Sequence, residues 1–443
     1  MLLFIAFVAE WPLEYDVVMY NGLWRSPFVV FGYFFVPLPG VKLFLWQLLV
    51  LAMVPVCIAR RKAFKQRAKE LDRALLVSVF SIAVTFGWGL ARGGEPYFAY
   101  YQVWRFLAGL LFAFLLTCAL RSTRDLRTLG MCIVSAAVIR ALLCIYFYWT
   151  QIRGSSYELE YLTNHDDAIL CVAAVLVLAN WAVVSGRLKA WLLIGMLFPV
   201  LFYAMVLNER RIAWVELAGA AMASYFMLGP GPLRRRIHRV AIVAAPLALV
   251  YVAVGWGREG AIFAPVKALS SAGSSSDPSS LTRQEEVRNL LYTFSTAGNP
   301  IFGTGWGLPF HKVESVWSNY SADWIFDLYT PHNSLLGLAV FAGIFGILGI
   351  WGVVPIGAWL AARAYNQTTD TTIRSSAMAV VGCLVAYSVH CYGDIGFQSF
   401  TCGLILGTAL GVAGKLAPWA ELSSAGRPVR ISRPSQAAVT SVR

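Results

Sequence analysis

Hydrophobic positions fall into long runs that are separated by shorter polar segments. A helix needs about 20 mostly apolar residues to cross roughly 30 Å of hydrocarbon. Eleven runs approach this length, at residues 41–58, 74–91, 104–120, 129–149, 168–184, 190–207, 212–228, 240–256, 334–360, 375–391 and 399–417. A twelfth is expected within residues 1–39, which are apolar but interrupted by charged residues. The pattern predicts an all-α integral membrane protein with about twelve transmembrane helices.

Composition excludes a soluble protein of ordinary type. Of the 443 residues, 58% are hydrophobic and 13% are charged, so a soluble fold would expose large apolar patches. The net charge of +13 is explained by topology, because most lysines and arginines lie in the loops on the side of residues 59–73. That side is predicted to be cytoplasmic, together with both termini. Nucleic-acid binding explains this charge less well, since the basic clusters have no interleaved aromatic residues.

This topology divides the chain into four parts. Residues 1–256 would hold nine transmembrane helices, residues 257–333 a large outer loop, and residues 334–417 three further helices. Residues 418–443 would form a cytoplasmic tail. The loop is expected to contain short helices, one of them starting near residues 280–282 with an apolar face of Val287, Leu290, Leu291 and Phe294. Residues 298–307 follow with four glycines, which a tight turn or a phosphate-binding loop would use.

Ionisable residues close to the span ends collect on the predicted outer side. Charges inside a bilayer are costly and usually functional. The candidates are Arg105, His165, Asp166, Asp167, Arg210, Arg211, Glu216, His332, His390 and Asp394. Arg140 alone lies near the middle of a span. Any chemistry is therefore expected at the outer face, with His332 at the boundary between the polar loop and the next apolar helix as the leading residue.

Neither a disulfide framework nor a metal site is predicted. All eight cysteines lie in or at the ends of the apolar runs, and none is in the outer loop. No dense group of His, Cys, Asp and Glu has the spacing of metal ligands. We therefore expect no metal and no cofactor.

Four motifs, in this order, resemble the O-antigen ligase and polymerase superfamily. Residues 208–214 are similar to the arginine element at a span entrance, and residues 299–307 read Asn-Pro-Ile-Phe-Gly-Thr-Gly-Trp-Gly. Pro331-His332-Asn333-Ser334 and the Phe-Ala-Gly-Ile-Phe-Gly of residues 341–346 complete the series. The predicted layout, with one large periplasmic loop between the ninth and tenth spans, also resembles that family. The chain is most similar to the O-antigen ligases.

The resemblance implies a metal-independent GT-C-type glycosyltransferase in the bacterial inner membrane, with its active site facing the periplasm. Its donor would be a polysaccharide on undecaprenyl pyrophosphate, and its expected acceptor the lipid A–core of lipopolysaccharide. By similarity, Arg211 and either Arg283 or Arg288 would bind the pyrophosphate, Arg210 would add positive charge, and His332 would act on the acceptor hydroxyl. Supporting roles are expected for Asn333, Asp166, Arg140 and His390.

Other roles compete for several of these residues. Arg210 or Arg211 would also suit an interfacial anchor, and Arg283 and Arg288 would suit pairing with Glu285 and Glu286 on a solvated helix face. Arg140 would either reach the phosphate or balance a buried carboxylate, and His390 would pair with Asp394 one helical turn away. Glycan-stacking platforms are expected among the loop aromatics Trp306, Trp317, Trp324 and Tyr329.

Two other functions compete with the ligase. A polymerase that extends the glycan on the same lipid carrier would have the same fold and motifs. A secondary transporter or lipid flippase is disfavoured, because transporters place their sites near the membrane midplane between repeats. In this chain the polar residues gather on one side and no repeat is evident.

Overall fold

A computed structural model describes residues 2–9, 45–59, 66–153, 162–258, 260–270, 278–313 and 328–425. These residues form helices and their connections, with no β-strand among them. The helices are α1 (Leu2–Ala9), α2 (Leu45–Ala59), α3 (Lys69–Ala91), α4 (Pro96–Ala119), α5 (Thr123–Phe147), α6 (Asp167–Ser185), α7 (Leu188–Leu207), α8 (Ile212–Met227), α9 (Pro232–Gly255), α10 (Ala264–Ser270), α11 (Pro278–Ala297), α12 (Ser334–Ile344), α13 (Val353–Gln367), α14 (Thr371–Gly393) and α15 (Phe400–Ser424).

Nine helical segments in the described ranges are long and apolar enough to cross a membrane. One of them, Ser334–Gln367, joins α12 and α13 through a π-helical turn at Phe345–Ile350. Helix α8 and the Val50–Ala59 part of α2 are apolar but shorter. The chain is therefore a multi-pass, all-α membrane protein, as the hydropathy predicts. The count of twelve stays a prediction, and most of the expected first span lies outside the described residues.

Helix α15 is the most buried of these segments. Its glycines recur every three or four residues at positions 403, 407, 411 and 414, and they lie against α4 and α3. A Cβ on Gly407 would lie 2.5 Å from the Gly109 carbonyl oxygen, so only glycine permits this approach. Small residues at such spacing let helix backbones approach closely. This contact fixes α4 and α15 relative to each other.

The glycine-rich loop of residues 298–307 docks onto the helix bundle. The Thr304 amide donates to the Val340 carbonyl at 2.8 Å, and the Gly305 amide donates to Phe341 at 2.9 Å. The Trp306 indole nitrogen donates to Thr85 at 2.8 Å, and the side chain is only 1% exposed. Because these donors bond to protein groups, the loop is an anchor for α11. The interpretation of residues 298–307 as a phosphate-binding loop is wrong.

Candidate active site

Polar side chains meet at one end of the bundle, where α6, α8, α12 and α15 begin and α14 ends. Helix α11 covers this end from the loop side. Three histidines there each place Nδ1 against a carboxylate: His332 with Glu286 at 2.9 Å, His165 with Asp394 at 3.0 Å and His390 with Glu216 at 2.6 Å. Several of the ionisable residues that the sequence predicts on one side are thus in direct contact with one another.

His332 is held by Glu286 through three hydrogen bonds. Its Nδ1 and its backbone amide donate to Oε2 at 2.9 and 3.0 Å, and the Asn333 amide donates to Oε1 at 3.0 Å. Because a carboxylate only accepts, Nδ1 carries the proton of the neutral ring and Nε2 is the basic nitrogen. The side chain is 37% exposed. The arrangement thus orients a histidine whose basic atom can meet a substrate.

Asn333 fixes the loop from the other side. Its side-chain oxygen accepts from the Leu336 amide at 2.9 Å, which makes Asn333 the N-cap of α12. The supporting role expected for Asn333 is therefore structural in origin: the cap sets where α12 begins and where His332, one residue earlier, must lie.

Helix α11 turns its polar face inward. Glu286, Asn289, Leu290 and Thr293 are buried, whereas Leu291 is 52% exposed. The predicted apolar face is therefore wrong for Leu291, and the helix begins at Pro278, before the predicted start. The polar face is buried because its side chains bond to the loop; Asn289, for example, accepts from the Val313 amide at 2.8 Å.

The same helix separates the two candidate arginines of the loop. Arg283 is one turn before Glu286, so both lie on one face, and Arg283 is close enough to His332 to act on its charge. Arg288 is exposed and lies about 200° around the helix from Glu286. The position of Arg283 therefore suits a ligand at His332 better. Glu286 itself bonds to His332 and Asn333, so the predicted pairing of Glu286 with arginine is wrong.

Charge around His332 favours its protonation. Burial lowers the pKa of the imidazole, but the hydrogen bond to Glu286 and the negative charges of Glu286 and Asp394 outweigh this effect. The positive charge of Arg283 opposes them. The net result is a pKa raised above the ordinary value of 6.5.

His390 lies deeper than His332 and is fully buried. Its partner is Glu216 of α8, so the predicted pairing with Asp394 is wrong. Its Nε2 has no hydrogen-bond partner among the described residues and lies 3.9 Å from Asp166 Oδ1. Cys402 Sγ is also 3.9 Å from that oxygen. These side chains join α6, α8, α14 and α15 directly beneath the site.

Asp166, His390 and Cys402 are also the set of described residues that could hold a metal ion, since their ligand atoms lie within 4.8 Å of one another. Metal-ligand spacing is absent from the sequence, because each ligand comes from a different helix or helix end. The distances of 3.9 Å from Asp166 to the other two exceed the separation of two ligands on one zinc ion, which is about 3.5 Å for bonds of 2.0 to 2.3 Å.

The arginine turn lies beside this network. Arg140 forms a buried ion pair with Asp167. Of its two predicted roles, reaching the phosphate or balancing a buried carboxylate, this contact is the second. Arg210 is buried and lines a small pocket with that pair, while Arg211 is half-buried at the N-cap of α8. The preceding Glu209 has a φ of 50°, a left-handed conformation that is rare for a residue with a side chain. The strained backbone at Glu209 therefore sets the positions of Arg210 and Arg211.

Two of the predicted glycan platforms are unsuitable. Trp306 is buried under the loop, and Tyr329 is 7% exposed and stacked on Phe98 with ring centroids 3.9 Å apart. Both rings pack inside the protein and offer no face to a sugar. Trp317 and Trp324 lie outside the described residues.

Comparison with known protein families gives a match over part of the chain. Residues 197–351 match the family model described as O-antigen ligase, whose members are glycosyltransferase-like enzymes. A search of curated proteins found no match. The matched range contains Arg210, Arg211, Arg283, Glu286 and His332, and it supports the O-antigen ligase superfamily that the motifs resemble.

Proposed function

We propose that this protein, whose residues 197–351 match the O-antigen ligase family model, transfers a polysaccharide from undecaprenyl pyrophosphate to the lipid A–core of lipopolysaccharide. The reaction would take place at the periplasmic face of the bacterial inner membrane. The observation that carries the proposal is the pair of Glu286 and His332, which holds a half-exposed imidazole on the same face of α11 as Arg283.

His332 acts on the acceptor. Nε2 accepts the proton of the acceptor hydroxyl while the oxygen attacks C1 of the donor sugar, and such general-base catalysis contributes roughly 10²–10⁴-fold. Glu286 fixes the tautomer and stabilises the imidazolium that forms, because its Oε2 accepts a hydrogen bond from His332 Nδ1 at 2.9 Å. Asn333 keeps this orientation by capping α12.

Arginines act on the donor. The bond from C1 to the pyrophosphate breaks, and negative charge develops on the departing phosphate. Guanidinium groups bind phosphate oxygens with two parallel hydrogen bonds, so Arg211 and Arg283 are assigned to the pyrophosphate, with Arg210 adding positive charge. Arg288 is assigned a minor role because it is exposed on another face of α11. Arginine supplies the electrostatic stabilisation in this account, without a metal or a cofactor.

Deletion of the gene in its host tests the proposal and distinguishes a ligase from a polymerase. We expect lipopolysaccharide gels to show lipid A–core without polymer, and the lipid fraction to retain polymer on the carrier. A single repeat unit on the core would identify a polymerase. Unchanged lipopolysaccharide would contradict both.

Glu286→Gln tests the pairing through the pH dependence of transfer. His332 must be neutral to act as a base, so the rate rises as pH rises through its pKa. The Glu286 charge raises this pKa, and its removal lowers it. We expect the acidic limb of the pH–rate profile to move to lower pH. Glu285→Gln, which removes the same charge from the neighbouring position, should leave the limb in place. A limb that does not move in Glu286→Gln would remove His332 as the base.

A further inference from the structure

His165 forms a second pair with a carboxylate at the same end of the bundle. Its Nδ1 lies 3.0 Å from Asp394 Oδ2, with the histidine side chain 25% exposed and the aspartate side chain 2% exposed. Burial would raise the pKa of the Asp394 carboxyl, but His165, with the charges of His390 and His332, holds it well below its usual range. Asp394 is therefore a carboxylate that orients His165 as Glu286 orients His332.

The two pairs are joined through Ser334. The Ser334 hydroxyl donates to the Asp394 carbonyl at 3.2 Å and accepts from the Phe397 amide at 3.3 Å, while the Ser334 amide donates to the His332 carbonyl at 2.9 Å. Asp394 and His332 also act on each other electrostatically. His165 and His332 are therefore held in one hydrogen-bonded frame.

Residues next to His165 in the chain contact the arginine turn, residues 208–211, and its neighbour Arg140. Two residues before it, the Thr163 amide donates to the Asn208 side chain at 2.9 Å, and Asn208 lies directly before Glu209, Arg210 and Arg211. Two residues after it, Asp167 pairs with Arg140. The residues around His165 are therefore hydrogen-bonded both to the arginine turn, through Thr163 and Asn208, and to the segment that holds His332, through Asp394 and Ser334.

We propose that His165 is the general acid that protonates the departing pyrophosphate, an inference that rests on the proposed function. Nδ1 faces Asp394, so Nε2 lies at the opposite edge of the ring and is the nitrogen that donates to the phosphate oxygen leaving C1. A paired acid and base at one transfer site, each oriented by its own carboxylate, accounts for the two pairs whose histidine reaches the surface. The third pair, His390 with Glu216, is fully buried.

The step balances as follows. The acceptor O–H bond breaks, its proton passes to His332 Nε2, and the oxygen forms a bond to C1 of the donor sugar. His165 starts the step as an imidazolium, with Nδ1–H donated to Asp394 and a second proton on Nε2. The bond from C1 to the phosphate oxygen breaks, its electron pair stays on that oxygen, and His165 Nε2 delivers its proton to it. His332 then loses a proton to water and His165 gains one, so both return to their initial states.

His165→Asn separates this role from a structural one. The asparagine amide nitrogen takes the place of Nδ1 and keeps the hydrogen bond to Asp394, whereas no group replaces Nε2. The assay uses purified full-length protein with polysaccharide-linked undecaprenyl pyrophosphate and lipid A–core. We expect kcat to fall about 10²-fold while the KM for the donor changes by less than about threefold. His311→Ala, which removes an exposed loop histidine, is the matched control and should behave as wild type.

A double substitution tests whether Asp394 acts through His165, and it does so even if one single variant also loses stability. If Asp394 acts through His165, His165→Asn combined with Asp394→Asn should lose no more activity than His165→Asn alone. Additive losses would overturn the dyad. Wild-type kcat in His165→Asn, with His332→Ala inactive, would overturn the role of His165 and leave the proposed function intact. Activity in His332→Ala would instead contradict the proposed function.

Discussion

His332→Ala is expected to insert and fold normally and to lose transfer by at least about 10²-fold. The His332 side chain is 37% exposed, and its hydrogen bond to Glu286 is the polar contact that the substitution removes. The backbone amides of His332 and Asn333 keep their bonds to Glu286 in the variant. The loss should therefore appear in kcat, without a comparable change in donor binding.

The measurement is initial transfer rate with purified wild type and variant at equal protein concentration, together with thermal unfolding of both. Equal unfolding temperatures would show that the change is confined to the chemistry. A well-folded His332→Ala that transfers glycan at nearly the wild-type rate would remove His332 from the mechanism.

Arg211→Lys and Arg283→Lys are each expected to keep expression and topology and to lose most transfer. A guanidinium that grips phosphate oxygens with two parallel bonds cannot be replaced by an ammonium without losing one bond and its geometry. An interfacial anchor needs only a positive charge on a flexible stem, so lysine would serve it well. The two roles therefore predict opposite results for the same substitution.

Arg288→Lys is the matched control, since Arg288 is on the same helix as Arg283 but is exposed. Arg288→Lys should lose clearly less transfer activity than Arg211→Lys or Arg283→Lys in an assay run with the donor at and below its KM. If Arg211→Lys and Arg283→Lys work as wild type while the glutamine variants fail to insert, both residues are topological anchors. The phosphate site would then have to include Arg140, Arg210 or Arg105.

Much of the scaffold follows from local sequence patterns. Apolar runs predict membrane-spanning helices because length and hydropathy are properties of one segment. His332 and Arg211 stand out because each begins an apolar run, which places it at a membrane boundary. Hydropathy gives no such signal for Glu286, which lies in a polar helix and looks like one of several solvated charges.

The pairs that form the site could not be predicted, because each joins distant parts of the chain. Glu286 and His332 are 46 residues apart, Glu216 and His390 are 174, and His165 and Asp394 are 229. His390 and Asp394 seemed suited to each other by helical spacing, yet His390 pairs with Glu216 of α8 and Asp394 pairs with His165 in the turn before α6. Packing, not spacing, decides which carboxylate orients which histidine.

The contacts of the glycine-rich loop, residues 298–307, could not be predicted from the sequence either. Four glycines in ten residues indicate a close backbone approach, but the sequence does not say to what. In the structure the approach is to the protein itself, since a Cβ on Gly305 would lie 2.3 Å from the Gly89 Cα. The glycines therefore anchor α11 and hold Glu286 and Arg283 at the site.

The role of His332 in ligation is tested in the cell by complementing the deletion strain with wild type or with His332→Ala at matched protein levels and analysing its lipopolysaccharide. We predict that wild type restores polymer on lipid A–core, whereas His332→Ala leaves the core bare and the polymer on its lipid carrier. Restoration of the full polymer pattern by His332→Ala would contradict the account.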